Sequence, residues 1–546
     1  MVKDNILLSK AILFFFICVT FGEYINLFFY KIIKAEYIII FSISIMIFYL
    51  YKKSYKKYRN IFFSIGIILI SIIINGFIVD ISYDGQAYHM LTPVMINKGW
   101  NPIWDYNANL YSNISANTLW CIVYPKSLEI FSSVFYMATG NILVGKFYNI
   151  LLIVVNILLL KSFLKEKISS KVILYLFIFV IVFNPVVSAQ LWTYYVDGTA
   201  YLLILVILNL SYLKYTYFKI NGNYRFVDFL IISLSAIAIN IKFTMVGYIP
   251  IVLFGIGVMF YINKKEKIYL CFKTTILSLL LGVLIIGYNP YVLNTIEHGN
   301  IFWPLKGENS IDIIRQHETK EFLEKNRLEK LGISILAKSR NDRNEPILKI
   351  PGSLDVKEIT TIIATVDTRI GGWGPFFSLG IILSIILFVY MMYKKIYNIY
   401  FFISICIILI STIVNPECWW ARYVPQFYII PIIILLYAEI NKNYLGEKIK
   451  KFIYLGLCIL VLNSSLILIG NFSYTVYRNY ENYRFLINLK EYKNIEIYFD
   501  DFYTVSESRL KFFDLNYKKI DSPNMNIDPM VLPSTFNKVK IYILDK

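Results

Sequence analysis

Charge is scarce in this chain. Of its 546 residues only 16% are Asp, Glu, Lys or Arg, while 57% are hydrophobic. A soluble protein carries roughly a quarter charged residues, so an ordinary globular domain is excluded. Cysteine is scarce too: there are 6, at positions 18, 121, 271, 406, 418 and 458, and no two form a CxxC pair. That excludes the usual zinc-site spacing. It leaves open one disulfide, between Cys121 and Cys418, both expected on the same side of a membrane. A signal cleavage site is lacking as well. The first apolar run, about residues 6–30, ends in no small-residue motif and is expected to persist as a helix. Neither a repeat of fixed period nor a low-complexity linker occurs. Acidic residues are outnumbered, 36 against 54 Lys and Arg, for a net charge of +18. The lysines lie in short clusters between apolar runs. That pattern sets membrane topology and calls for no nucleic-acid partner.

What the chain has in abundance is apolar length. The runs predict an all-α polytopic membrane protein with about thirteen spanning helices, each near the ~20 residues that cross a bilayer. They fall at about 8–29, 36–51, 61–79, 142–163, 171–189, 197–217, 226–240, 243–262, 269–289, 375–393, 398–414, 424–439 and 452–470. The short basic loops then share one phase: "KKSYKKYR" (52–59), "KEKISSK" (165–171), "KINGNYR" (219–225), "KKEK" (264–267), "KK" (394–395) and "NKNYLGEKIKK" (441–451). With a cytoplasmic N-terminus all six are cytoplasmic; Lys31 and Lys34 are the strongest opposing charges. The segment 124–141 is too short to cross and is expected to lie in the outer interface. A membrane domain over 1–470 then carries two extracytoplasmic loops, 80–141 and 290–374. An extracytoplasmic tail over 471–546 has the pattern of a small α/β unit. The sequon "NIS" at 113–115 falls in the first loop and matters only in a cell that N-glycosylates.

This topology collects the unusual polar residues on one face. The first loop holds Asp80, Asp84, His89 and Lys126; later outer turns hold Asp197, Lys242, Glu297, His298, Asp367, Arg369, Glu417 and Arg422. Each alone has a bland reading: a helix cap, a snorkelling lysine, a headgroup anchor. Together with all 8 tryptophans, which fall on the same side, they describe an outer cavity of aromatics and charges. Such a cavity suits a lipid-linked anionic substrate. Sugar transfer from a polyprenyl phosphate needs a base for the acceptor's proton, cations for the departing phosphate and a groove for the lipid chain. Asp84, just beyond an apolar helix, is the candidate base, with Asp80 as its competitor. His89, five residues on, is placed to orient the carboxylate or to bind phosphate.

In these residues the chain resembles the GT-C superfamily of integral-membrane glycosyltransferases, in particular the bacterial mannosyltransferase and aminoarabinose-transferase-like branch. "SYDGQAYH" (82–89) is similar to the family's first-loop segment and places Asp84 at its catalytic acidic position. "YPKSLEIFS" (124–132) resembles the following segment, with Lys126 as a phosphate contact; "FYMATGN" and "GKFYN" resemble the Gly-containing end of that helix. "WWARYVPQFYIIPIIILL" (419–436) resembles a late helix with an outer Arg-Tyr, here Arg422 and Tyr423. The chain departs from the pattern in its two extra N-terminal helices, in Gly85 where the family has an acid after Asp, and in a single Pro125. The resemblance implies a polyprenyl-phosphate sugar donor, a cell-envelope acceptor and a bacterial plasma membrane. Lys242, Asp197, His298 and Glu417 are further lining candidates. A divalent ion on Asp84, His89 and Glu297 stays open. The competing readings are a lipid-linked glycan polymerase or ligase, a transporter or lipid flippase with ionisable groups at helix midpoints, and a non-catalytic accessory protein.

Overall fold

The computed structural model describes residues 2–106, 117–219, 224–264, 268–312 and 317–544. The sequon at 113–115 and parts of the basic loops 219–225 and 264–267 lie outside these residues. The chain is a helical bundle with a small sheet at its C-terminal end. Three helices open it: α1 (Val2–Phe28), α2 (Ala35–Lys53) and α3 (Lys57–Gly76). The first loop then forms α4 (Leu91–Asn97), α5 (Thr118–Val123) and α6 (Ser127–Thr139). The bundle continues with α7 (Tyr148–Leu164), α8 (Lys171–Val182), α9 (Pro185–Gln190), α10 (Asp197–Lys219), α11 (Arg225–Ile239), α12 (Met245–Lys264) and α13 (Ile268–Leu279). The long loop carries α14 (Leu293–His298), α15 (Lys320–Leu323), α16 (Arg327–Leu336) and α17 (Val356–Ala364). The last bundle helices are α18 (Phe377–Tyr393), α19 (Ile399–Ile413), α20 (Ile429–Ile440) and α21 (Glu447–Leu489).

A bilayer core offers no partner to a backbone N–H or C=O, so apolar runs close their hydrogen bonds internally as helices. All thirteen expected spans fall on helical structure. Among the described residues seven helices are long and apolar enough to cross, or eight if the bent pair Phe272–Ile285 and Tyr288–His298 counts as one span. Other expected spans are shorter or broken. The run 171–189 divides where Pro185 opens α9 and the Asn184 side chain caps it, accepting from the Val187 N–H at 2.8 Å. Proline lacks the N–H that would continue α8, so the apolar run cannot stay one helix. The run 269–289 bends by 72°.

The helices alternate in direction, so their connections gather at two ends. At one end Asp4 pairs with Arg59 and Lys214 with Asp228. At the other lie the first loop, the long loop and the tail. Helix α6, in the segment 124–141 expected at the outer interface, is packed into the bundle: Ser127 through Tyr136 are all buried, against α1, α2 and α4. The boundary near residue 470 falls inside α21, whose 43 residues continue to Leu489. At 1.5 Å per residue a helix of that length is roughly 65 Å long, about twice a bilayer's hydrocarbon core. Its far end carries β1 (Ile495–Phe499), α22 (Tyr503–Phe512), β2 (Lys518–Ile520), β3 (Met530–Val531) and β4 (Val539–Ile543). The strand order is β2-β1-β4-β3, with β1 parallel to β2 and antiparallel to β4. Leu486 and Leu489 of α21 share a core with Ile497, Leu510 and Ile541, which fixes the sheet to the helix end.

Candidate functional site

A cavity of about 1680 Å³ opens where the first loop, the long loop and the tail meet. Its first wall is the chain after α3. Asp80 is buried there and accepts from the Ser82 N–H at 2.8 Å, the Ser82 hydroxyl at 2.5 Å and the Tyr194 N–H at 2.6 Å. Burial pushes its carboxyl up, while Lys146 and these donors pull it back. Asp80 does not line the cavity; it folds the turn that presents Asp84. The Asp80 and Ser82 side chains pack so closely that a Cβ on Gly85 would meet the Asp80 carboxyl carbon at 2.8 Å. Glycine is therefore the residue that fits after Asp84 in this turn.

Arg422 is the centre of the site. Its Nη1 donates to Asp84 Oδ2 at 3.1 Å, across 338 residues of sequence, and its Nε lies 3.3 Å from Asp367 Oδ1. The guanidinium is packed 4.9 Å from the Trp420 ring and 5.2 Å from those of Tyr195 and Tyr423. Beside it Lys242 pairs with Asp197 and sits 3.8 Å over the same Tyr423 ring. Gln190 donates to the other Asp197 oxygen at 3.0 Å. Burial works against the Arg422 charge, yet Asp367, Tyr423 and Asp84 hold its pKa well above the ordinary value. Burial pushes Asp367 up to about 6; Arg422 opposes the rise, and the like charges of Asp84 and Asp197 add to it. Arg369 lines the cavity 6.0 Å from the Trp420 ring, with its Nε unbonded among the described residues.

The other expected residues divide. His89 lines the cavity, but its Nδ1 bonds Glu129, not Asp84. Lys126 lines it too, with its ammonium bonded to the Asn289 side chain at 2.9 Å and the Ile122 carbonyl at 3.1 Å. Burial pulls that amine down to about 7, against the pull of Glu129. Two of its three donors are thus spent on the fold. Glu417 lines the cavity and accepts from the Trp419 indole at 2.6 Å; burial pushes it up to about 7. His298 and Glu297 do not line it: His298 stacks on Trp303 at 3.5 Å, and Glu297 is exposed on α14. Asp84, His89 and Glu297 thus form no common ligand set, and no group of three His, Cys, Asp or Glu suits a metal among the described residues. Cys121 and Cys418 are both free thiols, bonded to the Tyr88 and Arg327 carbonyls at 3.3 and 3.4 Å.

The sequence set Asp367 and Arg369 among the outer polar residues, but nothing in it marked Tyr195. It gave no sign that the tail would close the cavity. Arg478 and Asn488 of α21 and Ser534 and Phe536 after β3 form a wall. The tail is held there by Gln86 donating to the Ser534 carbonyl at 2.6 Å and by Lys98 pairing with Glu507 at 3.3 Å.

A cation held by carboxylates in a partly apolar pocket can take an anionic ligand by exchange, trading Asp84 or Asp367 for oxygens of the ligand. No family model, curated protein or solved structure matches this chain.

Proposed function

We propose that this chain is a GT-C-type membrane glycosyltransferase. It moves a sugar from a polyprenyl-phosphate-linked donor to a cell-envelope glycan, lipid or protein acceptor on the extracytoplasmic face. The supporting observation is the cation–carboxylate centre of Arg422, Asp84, Asp367, Lys242 and Asp197 inside a cavity of about 1680 Å³. That volume exceeds the ~300–1,000 Å³ of common small-ligand pockets, as a lipid-linked donor together with an acceptor requires. The acceptor oxygen attacks the anomeric carbon, the bond from that carbon to the phosphate oxygen breaks, and the electron pair leaves with the phosphate. Arg422 and Lys242 stabilise the charge that develops there. A base in the wall takes the acceptor's proton, and Asp84 is the carboxylate beside the cation.

Radiolabelled transfer from a panel of undecaprenyl-phosphate sugars tests this in proteoliposomes. Arg422→Lys is expected to lower turnover about 100-fold, because one ammonium cannot reproduce the two-sided grip of a guanidinium. Turnover equal to wild type removes Arg422 from the site. A monosaccharide donor outrunning an oligosaccharide donor separates this reading from a polymerase or ligase. The break before α9 and the 72° bend are features that a lipid transporter also uses. Movement of a fluorescent lipid phosphate across the bilayer without sugar transfer favours that second reading.

A further inference from the structure

Every carboxylate at the Arg422 centre is already engaged. Asp84 and Asp367 hold Arg422, and Asp197 holds Lys242 and Gln190. A cation beside a carboxylate favours its charged form and so lowers its basicity towards a further proton. The cavity wall also carries two histidines among the described residues: His317, whose Nδ1 has no partner, and His89, which a carboxylate orients. His89, at the end of the turn Gly85–His89, is bonded through Nδ1 to Glu129 Oε1 on α6. The two side chains are 7% and 4% exposed, and both line the cavity. Glu129 makes no ion pair with a lysine or arginine among the described residues, and its second oxygen is buried without a partner. No other hydrogen bond to His89 occurs among the described residues, so Nε2 is the nitrogen left for a ligand.

We infer that His89, oriented by Glu129, is the base that receives the acceptor's proton, and that Asp84 is the counter-ion of Arg422. The inference rests on the glycosyl-transfer reading above. A carboxylate accepting from Nδ1–H fixes the tautomer, turns the Nε2 lone pair outward and stabilises the imidazolium that forms. As the acceptor oxygen bonds to the anomeric carbon, its proton passes to Nε2. The bond to phosphate breaks, and the lipid phosphate leaves with the electron pair to Arg422 and Lys242. The imidazolium then returns the proton to water in the cavity. The imidazole ring packs against Tyr88 at 4.3 Å and Tyr195 at 6.3 Å between centroids. Lys126, Cys121 and the hydroxyls of Tyr24, Tyr148 and Tyr194 face Glu129 electrostatically, and none of them bonds the imidazole.

The test compares pH–rate profiles of the full-length chain in proteoliposomes, with undecaprenyl-phosphate glucose, mannose and aminoarabinose as donors and an envelope-lipid extract as acceptor. His89→Gln is expected to lower kcat about 100-fold, keep the donor KM within about 3-fold and lose the ascending limb of the profile. Glu129→Gln is expected to lower kcat about 10-fold and shift that limb. Added imidazole should restore part of the activity of His89→Gly. Asp84→Asn should raise the donor KM and keep the limb. The inference is overturned if His89→Gln has wild-type kcat and profile, or if Asp84→Asn alone removes the limb. It is also overturned if His89→Gln loses rate equally at every pH and imidazole restores nothing to His89→Gly. Should His89→Gln fail to fold, the limb in Glu129→Gln decides: an unchanged limb overturns the inference. A wild-type chain that transfers no sugar from any of these donors rejects the glycosyl-transfer reading itself, and the assignment of the base falls with it.

Discussion

At the scale of single residues, the site is a set of charges that would each be costly alone. Arg422 removed by itself leaves Asp84 and Asp367 without the cation that both hold. Breaking such a partly buried arrangement costs on the order of 3 kcal/mol, and the cost is not additive over its members. Arg422→Ala is therefore expected to lower the thermal midpoint in detergent, and Arg422→Ala with Asp84→Asn to recover part of the loss. Asp367 gives a pH prediction with a definite sign. Its carboxyl is pushed from the ordinary 3.8 up to about 6. Between those values the folded chain keeps a proton that the unfolded chain has lost. Its effect on stability is therefore absent below about 4, grows unfavourable as pH rises towards 6 and is full above it. The melting temperature of wild type is expected to fall between pH 4 and pH 7 relative to that of Asp367→Asn. Parallel melting curves across that window reject the shift at Asp367.

At the scale of elements, the site depends on where helices stop. Asp84 reaches Arg422 because α3 ends at Gly76 and the buried Asp80 ties the following turn to Ser82 and Tyr194. Gly85 is part of that device, for a Cβ there collides with the Asp80 carboxyl and the Ser82 hydroxyl. Gly85→Ala adds no charge and removes none, yet it is expected to displace Asp84 and lower turnover at least ~10-fold, since small misplacements of catalytic groups are costly. Wild-type transfer in that variant denies the turn any role in positioning. The bend after α13 has a similar origin. A Cβ on Gly287 would lie 2.7 Å from the Asn240 side-chain oxygen and 2.5 Å from the Tyr291 ring. The close approach is possible only without a side chain, and it delivers Asn289 to Lys126.

At the scale of the molecule, the tail is a wall of the cavity. It is anchored to the first loop by Gln86 with Ser534, Lys98 with Glu507 and Tyr136 with Ser508 at 3.0 Å. A chain ended after residue 490 keeps the Arg422 centre but loses the segment Val531–Asn537 from the cavity lining. It is expected to retain turnover at saturating substrate and to raise KM about 10-fold, as lost uniform binding does. An unchanged KM assigns the tail no part in substrate binding. The orientation is checked by labelling single cysteines in a cysteine-free background. Tyr55, 98% exposed in the basic α2–α3 loop, should react with an impermeant maleimide only from the cytoplasmic side, and Met525, 91% exposed in the tail, only from outside. Reaction of both from one side rejects the topology.

The sequence by itself determined the helices and the face on which the polar residues gather. Apolar length forces helix formation in lipid, and loop charge sets the alternation of ends. It therefore placed Asp84, Arg422, Tyr423, Lys242 and Asp197 together before any contact was visible. Lengths were less legible: a run of apolar residues does not show that Pro185 divides it, or that α21 continues beyond residue 470. Pairing was decided only by the tertiary structure. Whether Lys126 spends its donors on Asn289, whether His89 meets Asp84 or Glu129, and whether Asp80 lines the cavity or holds a turn depend on side-chain reach between segments up to hundreds of residues apart. Periodicity and composition carry no information about such distances. The closing wall supplied by the tail was hidden for the same reason.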